Sequence, residues 1–173
     1  MKNILITGGC GYVGTVLTNR LLNQGNNVCV YDIQWFGNHL KESPNLQNLN
    51  FDVRDTASIP MQGIDTIIHL ANIANDPAVE LNPTLSWEVN LLAGQQLIDK
   101  AVRNGVGHFI FASSGSVYGI KDEPDVHEEM ELEPLTDYSI FKAECEKILA
   151  KYQSDEFTTT GASKTIAAAI TST

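Results

Sequence analysis

The sequence has no apolar run that approaches the length needed to cross a bilayer as a helix. It is short of positive charge: 11 Lys and Arg stand against 21 Asp and Glu, a formal net charge of −10. That balance disfavours a nucleic-acid groove or an anionic membrane surface as partner. It leaves room for an anionic small ligand, because backbone N–H groups bind phosphate without any lysine. Cysteine is scarce and unpaired in pattern. The three residues Cys10, Cys29 and Cys145 predict a reduced, cytoplasmic protein rather than a disulfide framework. The opening "MKNILITGG" meets glycine too soon for a signal peptide. Internal repeats and low-complexity linkers are also missing. Eight of the 21 acidic residues fall in 121–137, which reads as a solvated surface loop.

What is present is an alternation of strand-like and helix-like segments across 173 residues, enough for one domain with a sizeable core. Apolar runs at 2–7, 27–32, 49–53, 65–72 and 108–114 read as buried strands. Between them, Val13, Val16, Leu17 and Leu21 recur at helical spacing, with Gly25 as a stop signal. Asn82-Pro83 offers an N-cap and first-turn proline for a helix of about 83–104. A last helix, about 136–152, carries Phe141, Cys145, Ile148, Leu149 and Tyr152 on one stripe. The pattern predicts an α/β fold, a Rossmann-like doubly wound parallel sheet, with ligands beyond the carboxyl ends of the strands.

The segment "ITGGCGYVGT" places four glycines within residues 8–14, between a strand and an amphipathic helix. Both Gly9-x-Gly11-x-x-Gly14 and Gly8-x-x-Gly11-x-x-Gly14 fit. An acid, Asp32, closes the next strand 18 residues past Gly14. This is the setting a dinucleotide fingerprint requires: a tight turn, close backbone approach to a pyrophosphate, and a helix N-terminus beneath it. Asp32 would accept hydrogen bonds from ribose hydroxyls and repel a 2′-phosphate. No arginine follows it in Ile33, Gln34 or Trp35, so NAD is expected rather than NADP. Further on, Tyr138 and Lys142 stand at i, i+4, one above the other on a helix. An ammonium beside a phenol favours phenolate and makes it a usable acid/base. The stretch "ASSGSVYG" (112–119) sets hydroxyls at the end of the fifth strand, where a serine could bond a substrate hydroxyl.

Taken together these stretches resemble an extended short-chain dehydrogenase/reductase of the NAD-dependent nucleotide-sugar epimerase/dehydratase type. "TGGCGYVG" matches that family's TGxxGxxG, "DVRD" (52–55) its adenine-contacting motif and "HLAN" (69–72) its HLAA. "SSGSVYG" (113–119) matches SSxxVYG, "YSIFK" (138–142) matches YxxxK, and Asn90 matches its central-helix asparagine. The resemblance favours Gly8, Gly11 and Gly14 as the fingerprint glycines and leaves Gly9 to build the turn. It implies Tyr138 as acid/base, Lys142 on the nicotinamide ribose, and Ser114 orienting the reacting hydroxyl, with Ser113 as fallback. Cofactor contacts would come from Gly8, Gly11, Tyr12, Val13 and Gly14, then from Asp32 and Ile33. Asp52 and Val53 would flank adenine, Leu70 and Ala71 would line the nicotinamide side, and Asn90, Ser113, Tyr138 and Lys142 complete the set. His69 is expected to be structural, and no metal is implied.

The family's sugar dehydratases carry an Asp-Glu pair after the catalytic hydroxyl, where this chain has Gly115 and Ser116. The resemblance therefore points to epimerisation of a nucleotide-sugar, with hydride removed and returned at a sugar carbon. Family members are almost twice as long, and "GASKTIAAAITST" lacks their Arg-Pro segment. The expected layout is an NAD-binding domain over 1–157 and a divergent tail over 158–173, with the C-terminal substrate-binding part missing. Two readings follow: a shortened epimerase, or a catalytically silent NAD-binding, dimerising remnant. The helices of about 83–104 and 136–152 would form the family's homodimer interface.

Overall fold

In a computed structural model, which describes residues 1–122 and 125–162, six parallel strands form one sheet. They are β1 (Asn3–Thr7), β2 (Asn27–Asp32), β3 (Leu46–Asn50), β4 (Thr66–His69), β5 (His108–Ala112) and β6 (Thr158–Ala162). Their spatial order is β3-β2-β1-β4-β5-β6. The order reverses between β1 and β4, and this switch point is where such sheets bind ligands. The doubly wound α/β expectation therefore holds. β6 carries the sheet past residue 157, pairing Thr158–Ala162 with β5. The tail's apolar run at 166–170 lies outside the described residues.

The central strands β1, β2 and β4 are buried on both faces, and the sheet's residues divide by alternation. Ile4, Ile6, Val28, Val30 and Ile68 meet Leu17, Leu21 and Leu22 of helix α1 (Tyr12–Asn23) on one face. Leu5, Cys29, Tyr31, Ile67 and Phe109 point the other way. There they meet helix α4 (Ala93–Arg103) through Leu97, Ile98 and Ala101, and helix α5 (Asp137–Tyr152) through Cys145 and Leu149. Two short helices, α2 (Asp76–Leu81) and α3 (Pro83–Trp87), precede α4. A π-helical stretch, Glu88–Leu92, joins α3 to α4 with helical backbone angles throughout. Asn82 caps α3 as its sequence position predicts, its side chain accepting from the Leu85 N–H at 3.0 Å. Helix α5 starts with a capping box between Thr136 and Ser139.

Two local features depart from expectation. The third strand covers Leu46–Asn50, not 49–53, because its register is set by β2, with Val28 opposite Leu46 and Asp32 opposite Asn50. Asp52 and Val53 consequently fall just past the strand end, where a turn closes from Asp55 N–H to Asp52 O. Helix α2 has six residues, too few for a periodic signal, and is started by the Asn75 side chain accepting from Ala78 N–H at 3.1 Å.

Candidate functional site

The glycine-rich turn after β1 shows what each glycine does. Gly8 has φ +76°, and a Cβ there would lie 2.5 Å from Ala71 N. A Cβ on Gly14 would lie 2.3 Å from Gly8 O and 2.6 Å from Gly9 Cα, so α1 can start against the turn only with glycine. At Gly11 the nearest atom to a Cβ is Gly8 O at 3.4 Å, leaving its outer side open. The reading Gly8, Gly11, Gly14 thus divides into a turn former, a residue with an open outer side and a packing residue. Gly9 sits in the turn, and what demands glycine there is Val30 of β2, whose methyls would lie 2.7 Å from a Cβ.

Among the described residues no side chain caps the N-terminus of α1 at Gly11. Its first-turn N–H groups and the positive end of the helix dipole face the open side of the turn. Asp32, at the end of β2, accepts from Cys10 N–H at 2.9 Å and from Gln34 N–H at 2.6 Å. Its carboxylate therefore holds the glycine turn and the following loop, with lone pairs left for a ligand hydroxyl.

These groups border a cleft at the switch point. Gly8, Gly11, Asp32 and Ile33 form one wall, Asp52 and Val53 another, and Leu70 and Ala71 a third. Eight residues expected from the sequence to hold a cofactor are thereby brought together. The same cleft takes in Trp35, Phe36, Arg54 and Asn72, which the sequence reading did not single out. Trp35 and Phe36 are 61% and 85% exposed, an apolar pair left in water at the cleft mouth. Their signal was available as two adjacent aromatics starting three residues past the strand-ending acid. Arg54 forks onto Asp52, with Nη2 at 2.7 Å, and reaches Glu88 at 2.8 Å. Hydrogen bonds from Arg54 hold the Asp52 carboxyl below its ordinary range. Asn72 Oδ1 is buried and lacks a hydrogen-bond partner among the described residues.

The other expected cofactor residues lie away from the cleft lining. Tyr12 is the first residue of α1 and 94% exposed, Val13 is half-buried, and Gly14 is packed under the turn. Asn90 is buried behind the loop after β4. Its Oδ1 accepts from Ile73 N–H at 2.8 Å and its Nδ2 donates to Ile73 O at 3.0 Å. It positions the cleft wall rather than lining the cleft. His69 is fully buried on Thr7 Oγ1 at 2.6 Å and stacked on Phe111. Burial, with the nearby Lys142 charge, drives its pKa down to about 3, so it stays neutral, as a structural residue would.

A second cluster forms where α5 crosses the end of β5. Tyr138 is half-buried on α5 and Lys142, one turn later, is 4% exposed. Lys142 Nζ donates to Ala112 O at 2.7 Å, lies 4.6 Å from the Phe111 ring centroid and 5.9 Å from that of Tyr138. Burial pulls the Lys142 ammonium down to about 8, with Cys145 and Glu146 opposing. Ser114 caps the turn Gly115–Tyr118: its Oγ accepts from Ser116 N–H at 3.2 Å and lies 2.9 Å from Ser116 Oγ. Ser113 Oγ instead donates to the Glu146 carboxylate. Ser113 is thus engaged with α5, whereas Ser114 is half-buried beside Ser116.

A buried lysine beside a tyrosine, a strand-end serine and an uncapped glycine turn with an acid on the next strand form one chemical set. The model of the NAD dependent epimerase/dehydratase family matches residues 4–163. The chain belongs to this family. It is 27% identical over 151 residues to UDP-glucose 4-epimerase of Lactobacillus helveticus, covering 85% of this chain and 46% of that protein. It is 34% identical over 135 residues to UDP-glucuronic acid decarboxylase 1 of Xenopus tropicalis, covering 75% of this chain and 30% of that protein. Among solved structures, UDP-glucose 4-epimerase of Thermus thermophilus, in complex with NAD, superposes with TM-score 0.81 at 28% identity. That match covers 92% of this chain and 53% of the other. The chain spans about half the length, or less, of the relatives it matches.

The cofactor that goes with this family is NAD, and the residues present fit it. The open side of Gly11 is a cradle that a Cβ would fill, and the uncapped α1 N-terminus suits a pyrophosphate. The partnerless Asn72 Oδ1 is suited to a ligand donor, and Asp32 retains acceptor capacity for ribose hydroxyls. Among the described residues no helix is long and apolar enough to cross a membrane.

Proposed function

We propose that this chain carries the cofactor-binding and acid/base half of an NAD-dependent nucleotide-sugar epimerase. The observation that carries the reading is Lys142, buried against Ala112 O and one helical turn from Tyr138. A buried ammonium in that place stabilises negative charge on a neighbouring phenol, as proton transfer from a sugar hydroxyl requires. Bound NAD supplies the hydride acceptor and donor. Tyr138 takes the hydroxyl proton as hydride leaves the sugar carbon and gives it back when hydride returns to the other face. Ser114 holds that hydroxyl with its Oγ. Lys142 keeps its charge below about pH 8 and supports the phenolate. Asp32 holds the adenosine ribose, Asp52 and Val53 flank adenine, and Leu70 and Ala71 line the path toward nicotinamide. Gly115 and Ser116 stand where sugar dehydratases need an acid and a base, which favours epimerisation over elimination.

The names of the relatives, UDP-glucose 4-epimerase and UDP-glucuronic acid decarboxylase 1, support a nucleotide-sugar substrate. A homodimer through α3–α4 and α5 belongs to the same reading, supported by the exposed Trp87, Val102 and Ile140 on those helices. Three free, buried cysteines suit a reducing, cytoplasmic setting. The test adds NAD and a panel of UDP-, GDP- and CDP-sugars to the purified chain and follows NADH absorbance. Appearance of the NADH band with a sugar supports the epimerase reading. NAD binding with no NADH from any sugar supports the alternative, a silent NAD-binding module. Light scattering on a sizing column reads the dimer.

A further inference from the structure

Helix α5 presents a third polar residue in line with Tyr138 and Lys142. Glu146 follows Lys142 by four residues, so the three share one face at i, i+4 and i+8. Lys142 Nζ donates to Ala112 O, and Glu146 accepts from the Oγ of the next residue, Ser113. Two oppositely charged heads from consecutive turns of α5 thus grip consecutive residues at the end of β5, immediately before Ser114. On its outer side Glu146 rests against β6, where a Cβ on Gly161 would stand 3.7 Å from its Cγ.

We infer that Glu146 is a positioning residue: its carboxylate pins β5 through Ser113 and keeps the buried Lys142 ammonium in its charged form. The inference rests on reading Tyr138 and Lys142 as the acid/base pair. The physical need is plain. For a nearly buried ammonium, a carbonyl and an aromatic face offset part of the desolvation cost, and a nearby negative charge offsets more. The groups acting on Lys142 are few. From its own helix they are Tyr138, Cys145 and Glu146, and from β4 it is His69, which burial keeps neutral. Cys145 is a thiol pushed up to about 11, and its S–H donates to Asn90 O, so it brings no charge near neutrality. The standing anion is therefore Glu146. The residue pattern did not mark it because its partner, Ser113, lies far away in the chain.

The test is an NMR titration of the ligand-free 173-residue chain labelled with 13C-lysine, in which the Lys142 13Cε signal is assigned by its loss in K142M. E146Q, which keeps shape but removes charge, is expected to lower the Lys142 midpoint by about one pH unit. E146D, which keeps the charge, is expected to stay closer to the wild type than E146Q. An E146Q midpoint equal to the wild type's overturns the electrostatic role. S113A removes a single hydroxyl and keeps the inference testable if E146Q does not fold. It releases the carboxylate toward water and is expected to move the midpoint down as well, and an unchanged midpoint overturns the anchoring role. No sugar or NAD enters this measurement. Failure to oxidise any nucleotide-sugar would therefore count against the proposed function alone, and a static Lys142 midpoint against Glu146 alone.

Discussion

Replacing each fingerprint glycine by alanine separates binding from folding, because the three positions meet different neighbours. At Gly14 the new methyl lies 2.3 Å from Gly8 O and 2.6 Å from Gly9 Cα, both backbone. Non-bonded atoms need about 3.5 Å, so α1 must retreat from the turn by about 1 Å. Such overpacking costs about 1–3 kcal/mol. At Gly8 a comparable clash with Ala71 N at 2.5 Å adds to the left-handed backbone at φ +76°, itself about 1–2 kcal/mol for a residue with a Cβ. At Gly11 the methyl meets only Gly8 O at 3.4 Å, and alanine at a helix N-cap costs about 0.5–1 kcal/mol relative to glycine. That same methyl occupies the side from which a phosphate oxygen must come within about 2.9 Å of an N–H. Losing one charge-assisted hydrogen bond there is about 1.5–3 kcal/mol, or about tenfold to a hundredfold in affinity. Urea unfolding reads the stability and calorimetric titration with NAD reads the affinity. G11A should lose no more than about 1 kcal/mol of stability and should lose NAD, whereas G8A and G14A should lose more stability. A G11A as unstable as G14A, or one that binds NAD like the wild type, would refute the division of roles.

Three further outcomes follow from the site. Y138F should bind NAD as the wild type does and lose about 100–10,000-fold in sugar-dependent NADH formation, while K142M should lose NAD affinity as well; equal affinity in both variants would count against a ribose contact by Lys142. His69 stays neutral in the fold down to about pH 3, whereas the unfolded chain protonates it near 6.5. The unfolded state then holds the extra proton, so stability falls as pH drops below 6.5, by about 2 kcal/mol between pH 7 and pH 5 from this residue. Urea unfolding of the wild type and H69Q at both pH values checks this, and equal pH slopes would contradict it. With Trp87 replaced by Phe, Trp35 becomes the one tryptophan of the chain, and NAD binding in the cleft should change its emission. An unaltered spectrum at saturating NAD would place adenine elsewhere.

Much of the fold could be read in advance because its signals are local. Ile4, Leu5 and Ile6 mark a strand covered on both faces, Asn82-Pro83 starts a helix by capping chemistry, and Gly25 stops one. The strand–glycine–helix–acid order of residues 3–32 likewise needs only chain-local geometry, so the dinucleotide site was visible as a pattern. The start of β3 was not, because it is decided by pairing with β2, and an apolar count over 49–53 cannot see a partner strand. The sequence also could not divide the glycines, since their roles depend on Ala71, Val30 and Gly8 O, contacts made across the chain.

Residue order alone supplies the chemical groups: glycines, Asp32, the serines after β5, and Tyr138 with Lys142. Which of them meet is set by folding. Folding buries Lys142 on Ala112 O, ties Ser113 to Glu146, turns Asn90 onto the Ile73 backbone, and brings Trp35, Phe36 and Asn72 to the cleft. The physical reason is that hydrogen-bond partners and burial are pairwise properties of residues far apart in the chain. A one-dimensional pattern carries each group's capacity to bond, and the packed sheet and helices choose the partner.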